Sequence, residues 1–316
     1  MLTGTFKDLL SKRFGKKVRF DEPMARHTAF RIGGPADVLV SPETVDDIVD
    51  LLRILDGEKA GWFVMGGGAN LLVRDGGIRG VVIAPSPGLS EIQVVEEKPE
   101  RASLKAQSGA FLWDVSRFAA GRGFDGLVFA AGIPGTIGGA AMMNAGTAEG
   151  DMSGVLAALE IVCGSGERLS VDRKELAFAY RSLRLPPGAA GYESRPGIIV
   201  SATLQLGREK PEMIGREMDK QLTERKKRQP GGFSAGSFFR NPPDAPPAGE
   251  LIDRAGLKGF TVGGAMVSQK HANFIINRKN ASAGDVLVLM EIMRKRVYEA
   301  FGVTLEPEVR IVGEPG

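Results

Sequence analysis

The chain has 316 residues, 43% hydrophobic and 25% charged, an ordinary globular balance with length enough for two or three domains. Its formal net charge of +3 is too small to imply a nucleic-acid partner, and no stretch approaches the ~20 apolar residues that span a bilayer. The one cysteine, Cys163, excludes an internal disulfide and, following Ile161 and Val162, reads as an inert buried thiol.

Met1–Lys17 mixes basic and single apolar residues and lacks the apolar core of a signal peptide, so a cytoplasmic protein is expected. Val38–Val40 reads as a short strand. Ser41-Pro42-Glu43 then offers a serine N-cap with proline at the first helical position, and Val45, Ile48, Val49, Leu52 and Leu55 recur at helical spacing up to Gly57. Trp62–Met65 is a strand leading into Gly66-Gly67-Gly68, and Val81–Ala84 is another. Ala102–Ala106, Leu159–Cys163 and Ile198–Leu206 read as strands; Phe111, Val115, Phe118 and Ala119 mark a helix ending at Gly121 or Gly123. A helix over Lys174–Phe178 is expected before Tyr180. Strands and helices interleave without the βαβ rhythm of a doubly wound sheet, so the class is α+β.

Gly207–Pro211 reads as a boundary before a charged helix, Glu212–Arg228, which Gln229-Pro230-Gly231-Gly232 stops. A proline-rich loop (Asn241–Pro247), a short helix (Glu250–Ala255) and a strand (Asn273–Ile276) follow. The chain closes with an amphipathic helix (Ala283–Phe301) and a strand (Thr304–Val312).

Glycine is the unusual quantity: 43 residues, about twice the usual ~7%, clustered beside apolar runs. Such placing permits positive φ and close approach of the backbone to a ligand, a first sign of a large bound cofactor. Gly66-Gly67-Gly68-Ala69-Asn70-Leu71 leaves a strand and turns, either as a plain glycine hairpin or as a nest of N–H groups for a diphosphate. Gly132-Ile133-Pro134-Gly135-Thr136-Ile137-Gly138-Gly139, continuing to Asn144-Ala145-Gly146, places bare backbone at a helix start, suited to phosphate or the edge of a flavin. Neither loop has Rossmann or Walker spacing, which points to a dinucleotide held by another fold.

Arg181, in Tyr180-Arg181-Ser182, is a surface arginine or a cation poised over an anion or developing enolate. Ser237, between Gly236 and Phe238-Phe239, caps a turn or serves as a proton donor. No Gly-x-Ser-x-Gly elbow is present, which argues against a hydrolase triad, and neither of the two histidines has partners at metal-ligand spacing, so no metal is expected. In Leu305–Arg310, alternation puts Glu306, Glu308 and Arg310 on one face, either solvated or with a carboxylate tuned by the arginine. Arg225-Lys226-Lys227-Arg228 closes a helix, where the dipole favours cations, and offers charge to a substrate diphosphate; Lys270 is plain surface or a similar contact.

Taken together and in order, these segments resemble the UDP-N-acetylenolpyruvoylglucosamine reductase family of bacterial cell-wall synthesis. The likeness is carried by HTAFRIGGPAD (27–37), GGGANLLV (66–73), GIPGTIGGAAMMNAG (132–146), YRS (180–182), AGSFFRNP (235–242), AGELID (248–253), KHANFIIN (270–277) and LEPEVR (305–310). They span almost the whole chain. The chain is similar to the family's shorter form, without an extra loop in the third domain, although its GGFSA linker is slightly shorter and more glycine-rich than the family's.

The resemblance implies an α+β chain: an FAD-binding fold of the vanillyl-alcohol-oxidase/p-cresol-methylhydroxylase type in two lobes (1–85 and 86–207), plus a C-terminal α+β substrate-binding domain (208–302). A terminal strand (303–316) would contribute to the active site. It also implies noncovalent FAD with NADPH as co-substrate. NADPH reduces FAD, and the reduced flavin passes hydride to the terminal carbon of UDP-N-acetylglucosamine enolpyruvate, giving UDP-N-acetylmuramate. Negative charge then builds at the carbon bearing the carboxylate and must be stabilised and protonated. By position, Ser237 is the implied proton donor, while Arg181 and Glu308, the latter protonated during the chemistry, stabilise the enolate-like intermediate.

The implied FAD contacts are Arg31, Gly66, Gly67, Gly68, Ala69, Asn70 and Leu71, then Gly132, Ile133, Pro134, Gly135, Thr136, Gly138 and Gly139 on the flavin side, with Asn144, Ala145 and Arg310. Tyr180, Arg225, Asn241 and Lys270 are the implied substrate contacts. A monomer with no nucleic-acid or membrane partner is expected. The rival reading is an alcohol oxidase of the same fold, in which histidine often attaches FAD covalently; His27, ahead of the first glycine pair, is poorly placed for that. A nucleotide-binding protein without catalysis would not need Ser237, Arg181 and Glu308 together.

Overall fold

The computed structural model describes residues 3–190 and 197–316; Met1 and Leu2, the start of the segment Met1–Lys17, lie outside them. The chain divides into two compact units, Met1–Arg19, Leu39–Gly67 and Gly80–Thr223 in the first, and Phe20–Val38, Gly68–Arg79 and Glu224–Gly316 in the second.

The first unit is built on a mainly antiparallel sheet whose strands lie in the order Arg168–Asp172, Leu156–Val162, Ile198–Arg208, Ala102–Gln107, Ile92–Glu97. The register aligns Leu159, Ala202 and Ala106 across three strands, all buried. Helix Leu112–Gly121 covers this row with Leu112, Val115 and Ala119 in one core. Cys163, just beyond its strand, is buried, and burial pushes its thiol pKa up, with Glu167 adding to it.

Helix Val45–Gly57 forms as its apolar spacing requires, but it starts at Thr44 rather than Ser41. Thr44 Oγ1 accepts from the Asp47 N–H, and the Asp47 carboxylate accepts in return from the N–H groups of Thr44 and Glu43. That reciprocal box satisfies more orphan donors than a lone serine cap, and it leaves Pro42 outside the helix. Burial raises the Asp47 pKa, but Lys17 Nζ at 2.6 Å and the backbone donors outweigh it and hold the carboxyl below its ordinary value.

The helix expected at Lys174–Phe178 does not form. Only one tight turn forms, Arg173–Glu175, and Ala177–Ala179 is instead a strand paired with Ser182–Arg184. Leu176 is buried and Phe178 half-buried, while Ala177 and Ala179 are exposed, a period of two that a helix cannot use. Tyr180 and Arg181 therefore form a two-residue hairpin turn.

The second unit packs Phe238, Phe239, Leu251, Ile252, Leu305 and Val309 against helix Ala283–Phe301, which buries Val286, Leu289, Met293 and Val297. Ser282 and Asp285 box its N-terminus, and Asp75 accepts from the Ala283 and Gly284 N–H groups, both at 2.8 Å. Gly302, at φ 68°, ends it in the left-handed conformation that glycine adopts most readily. A three-stranded antiparallel meander, Thr261–Val262, Ala265–Val267, Ile275–Asn277, completes the unit. The closing strand is shorter than its alternation suggests: only Arg310–Val312 pairs regularly, in parallel with Leu71–Val73. Pro307 has no N–H to give a ladder, and 306–308 instead pairs irregularly with 238–240. An antiparallel main sheet without a regular alternation of strand and helix makes the class α+β, as expected.

Candidate active site

In the first unit the two glycine loops meet backbone to backbone. A Cβ added to Gly66 would lie 2.9 Å from Thr136 Oγ1 and 3.4 Å from Gly139 Cα; one on Gly67 would lie 3.0 Å from Gly135 Cα. Gly132 and Gly135 take φ of 74° and 119°, closed to most side chains. Ile133 and Pro134, between them, are half-buried and exposed. The helix start at Ile137 is less bare than its glycines suggest, because the Ile137 N–H donates to Ala110 O and the Gly138 N–H to Ser108 O, both at 2.9 Å. Two hydroxyls there, Thr136 Oγ1 and Ser108 Oγ, are buried with no hydrogen-bond partner among the described residues. Leaving such groups unpaired is costly, so both suit a bound polar ligand.

Nearby in the chain, Asn144 is buried at φ 40°. Its side chain accepts from the Ser153 N–H at 2.9 Å and donates to Asp151 at 3.2 Å and to Ala179 O at 3.4 Å. Asn144 thus fastens the loop after Ala145 to the hairpin that carries Tyr180 and Arg181. Arg181 Nη1 donates to Gly146 O at 3.0 Å, and its guanidinium lies 5.2 Å from the exposed Tyr180 ring. Arg181 itself stands at φ 54°, a strained setting for a non-glycine residue that recurs at functional sites.

In the second unit, Gly68 sits at φ 63° with the His27 carbonyl where a Cβ would go, 2.1 Å away, and its own carbonyl accepts from the Ala29 N–H. Ala69 is half-buried beside it. Asn70 Nδ2 donates to Glu308 O at 3.1 Å, the Arg310 N–H donates to Asn70 O, and Leu71 opens the parallel pairing with Arg310. His27 Nε2 is engaged by Glu22 at 2.8 Å. Arg31, also strained at φ 54°, lays its guanidinium 4.5 Å from the Phe233 ring, while Asn277 holds the carbonyls of Phe30 and Arg31.

Ser237 and Glu308 are brought together by their neighbours. Phe238 O accepts from the Glu308 N–H at 2.8 Å, and the Arg240 N–H donates to Glu306 O at 2.9 Å. Both side chains are half-buried. Lys270 Nζ donates to Lys226 O at 2.6 Å, at the end of the helix Pro211–Arg228 that carries the half-buried Arg225. A cluster of cations at a helix C-terminus can hold an anionic group. Asn241 is committed differently: its Oδ1 accepts from the Ala248 N–H and closes the proline-rich loop onto helix Ala248–Arg254.

Two family models match: an FAD binding domain over residues 36–172, and the C-terminal domain of UDP-N-acetylenolpyruvoylglucosamine reductase over residues 228–312. A UDP-N-acetylenolpyruvoylglucosamine reductase from Desulfosudis oleivorans is 46% identical, covering 98% of this chain and 99% of its own. The chain belongs to the UDP-N-acetylenolpyruvoylglucosamine reductase family. The family protein from Heliobacterium modesticaldum is 41% identical over 93% of this chain and 90% of its own. The crystal structure of the Thermus caldophilus reductase superposes with a TM-score of 0.76 at 35% identity, covering 92% of this chain and 97% of that one.

Membership makes the protein a flavin-dependent oxidoreductase, with an FAD-binding fold of the vanillyl-alcohol-oxidase type followed by the family's C-terminal domain. No helix among the described residues is long and apolar enough to cross a membrane. Two residues that sequence reasoning passed over stand out: Ser108, whose orphaned hydroxyl only the packing reveals, and Asn273, buried behind Phe238 and Phe239. In the KHANFIIN segment Lys270 carries the evident charge, and nothing in the sequence marks Asn273.

Proposed function

We propose that this chain reduces UDP-N-acetylglucosamine enolpyruvate to UDP-N-acetylmuramate with NADPH as hydride donor, working as a cytoplasmic monomer. The observation that carries this reading is the hydrogen bond from Glu308 N–H to Phe238 O, which ties the Ser237 segment to the Glu308 segment. A hydroxyl and a carboxyl held on adjoining segments suit protonation of a carbon beside a carboxylate. FAD, when bound, supplies the acceptance and return of a hydride.

The chain's own residues do the rest. Thr136 and Ser108 give the cofactor polar partners, Gly139 leaves it room, and the loops Gly66 to Leu71 and Gly132 to Gly139 supply its other contacts. Arg181 draws charge onto the substrate carboxylate, with Glu308 as a protonated partner. Ser237 Oγ gives its proton to the carbon bearing that carboxylate. Arg225 and Lys270 attract the diphosphate, with Tyr180 and Asn241 as further substrate contacts. Residues 1–85 and 86–207 serve as cofactor lobes, 208–302 as the substrate-binding domain and 303–316 as the strand that brings Glu308 and Arg310.

The test is an anaerobic absorbance titration, NADPH first and UDP-N-acetylglucosamine enolpyruvate second. Flavin that bleaches and then recovers its colour supports the reading; recovery only on admission of air refutes it in favour of an oxidase. Ser237→Ala is expected to keep flavin reduction by NADPH and to slow reoxidation by substrate by about 10²–10⁴-fold, the usual worth of a positioned proton donor.

A further inference from the structure

Ser237 is half-buried, and a side chain this short takes its position from the backbone that carries it. Upstream the segment is tied where Phe233 O accepts from the Asn277 N–H at 2.9 Å and where Ala235 is buried, but Gly236, next to Ser237, stands at φ 81° with nothing within 4 Å of an added Cβ. The backbone hydrogen bonds nearest Ser237 lie on its downstream side. There Asn273, 3% exposed, grips two successive residues. Its carbonyl accepts from the Phe238 N–H at 2.7 Å, its Oδ1 accepts from the Phe239 N–H at 2.9 Å, and its Nδ2 donates to Phe239 O at 2.8 Å. The opposite edge of the same segment accepts the Glu308 N–H through Phe238 O. The side chain of Asn273 therefore acts as a short piece of strand, with Ser237–Phe239 as the middle strand and Glu308 beyond it.

We propose that Asn273 is the positioning residue that sets the distance between Ser237 and Glu308, an inference that rests on the roles given to those two residues above. Its amide needs both ends. A carboxylate would keep the bond to the Phe239 N–H, lose the one to Phe239 O, and set two acceptors against each other in a buried place. Displacement of a reacting group by ~1 Å costs up to about a hundred-fold in rate. Flavin reduction by NADPH does not use Ser237 and is left alone.

The experiment compares Asn273→Asp with wild type and Ser237→Ala as FAD-loaded proteins in stopped flow. The expected result is flavin reduction by NADPH within about twofold of wild type, with substrate-driven reoxidation slowed about ten- to a hundred-fold. In deuterated water the reoxidation step of Asn273→Asp gains a larger solvent isotope effect, because proton delivery has become the slow event. Unchanged reoxidation overturns the proposal. So does equal loss in both half-reactions with a lowered melting temperature, which is what a merely structural asparagine gives. Asn273→Ser removes both side-chain bonds without adding charge and replaces the aspartate variant if that does not fold. Wild-type reoxidation in Ser237→Ala refutes the underlying role of Ser237, an outcome distinguishable from failure at Asn273.

Discussion

Gly66 and Gly67 are glycines because another loop fills the space where their Cβ atoms would go, but Gly139 is not crowded by the chain. A methyl there would find its nearest neighbours at 3.7 Å (Thr136 Oγ1) and 4.0 Å (Gly66 Cα), ordinary contact distances. Gly139 also lies inside the helix Ile137–Met142, where alanine is favoured over glycine by about 0.8–1 kcal/mol. The protein without cofactor should therefore tolerate Gly139→Ala, melting at the wild-type temperature or about 2–4 °C above it. If the space beside Thr136 Oγ1 belongs to FAD, the same methyl overpacks the complex. Inserting one costs typically about 1–3 kcal/mol, which converts to roughly 5- to 150-fold weaker binding.

Calorimetry of the flavin-free protein and a fluorescence titration with FAD measure the two halves of this expectation. Gly68→Ala is the contrasting control: at φ 63°, with the His27 carbonyl 2.1 Å from the new Cβ, it should lower the melting temperature of the flavin-free protein itself. A Gly139→Ala protein that is stable and binds FAD within twofold of wild type refutes the assignment of that space to the cofactor.

Glu308→Gln keeps the backbone bonds of its segment and removes only the carboxyl proposed to carry a proton. Substrate affinity should hold while reoxidation slows by at least tenfold, and wild-type turnover removes the carboxyl from the chemistry. His271 carries a pH expectation. Burial depresses its pKa below 6.5, backbone hydrogen bonding works the other way and Lys258 adds to the depression; its Nδ1 accepts from the Asn273 N–H at 3.2 Å, which needs the neutral ring. The unfolded chain then takes up a proton more readily than the folded one. Stability is complete above pH ~6.5 and declines as the pH falls through that value towards the lower folded pKa. Melting temperatures of His271→Gln between pH 5 and 8 should show a flatter slope, and an unchanged slope rules His271 out as its source.

The helix Ala283–Phe301 was legible to the residue, because its apolar period, serine cap and terminal glycine are all local signals. The glycine loops were equally legible, since a positive φ or a close approach of backbone leaves its mark on residue type. The chemistry proposed for Ser237, Arg181 and Glu308 rests on motifs in order, each of them ambiguous alone. Elsewhere local signals compete: Ser41-Pro42 looks like a helix start until Thr44 and Asp47 close their box, and Ala177–Ala179 carries too little side chain to announce a strand.

What tertiary structure alone decided is where backbone donors and acceptors find partners far along the chain. Asn273 is an ordinary asparagine until Phe238 and Phe239 lie beside it, 35 and 34 positions away in sequence, and Ser108 is an ordinary serine until packing leaves its hydroxyl without a partner among the described residues. Sequence period reports which face of an element is buried, because burial selects apolar side chains. It carries no record of which carbonyl a buried amide will meet, because that depends on how separate segments pack, and the positions of the reacting groups depend on it.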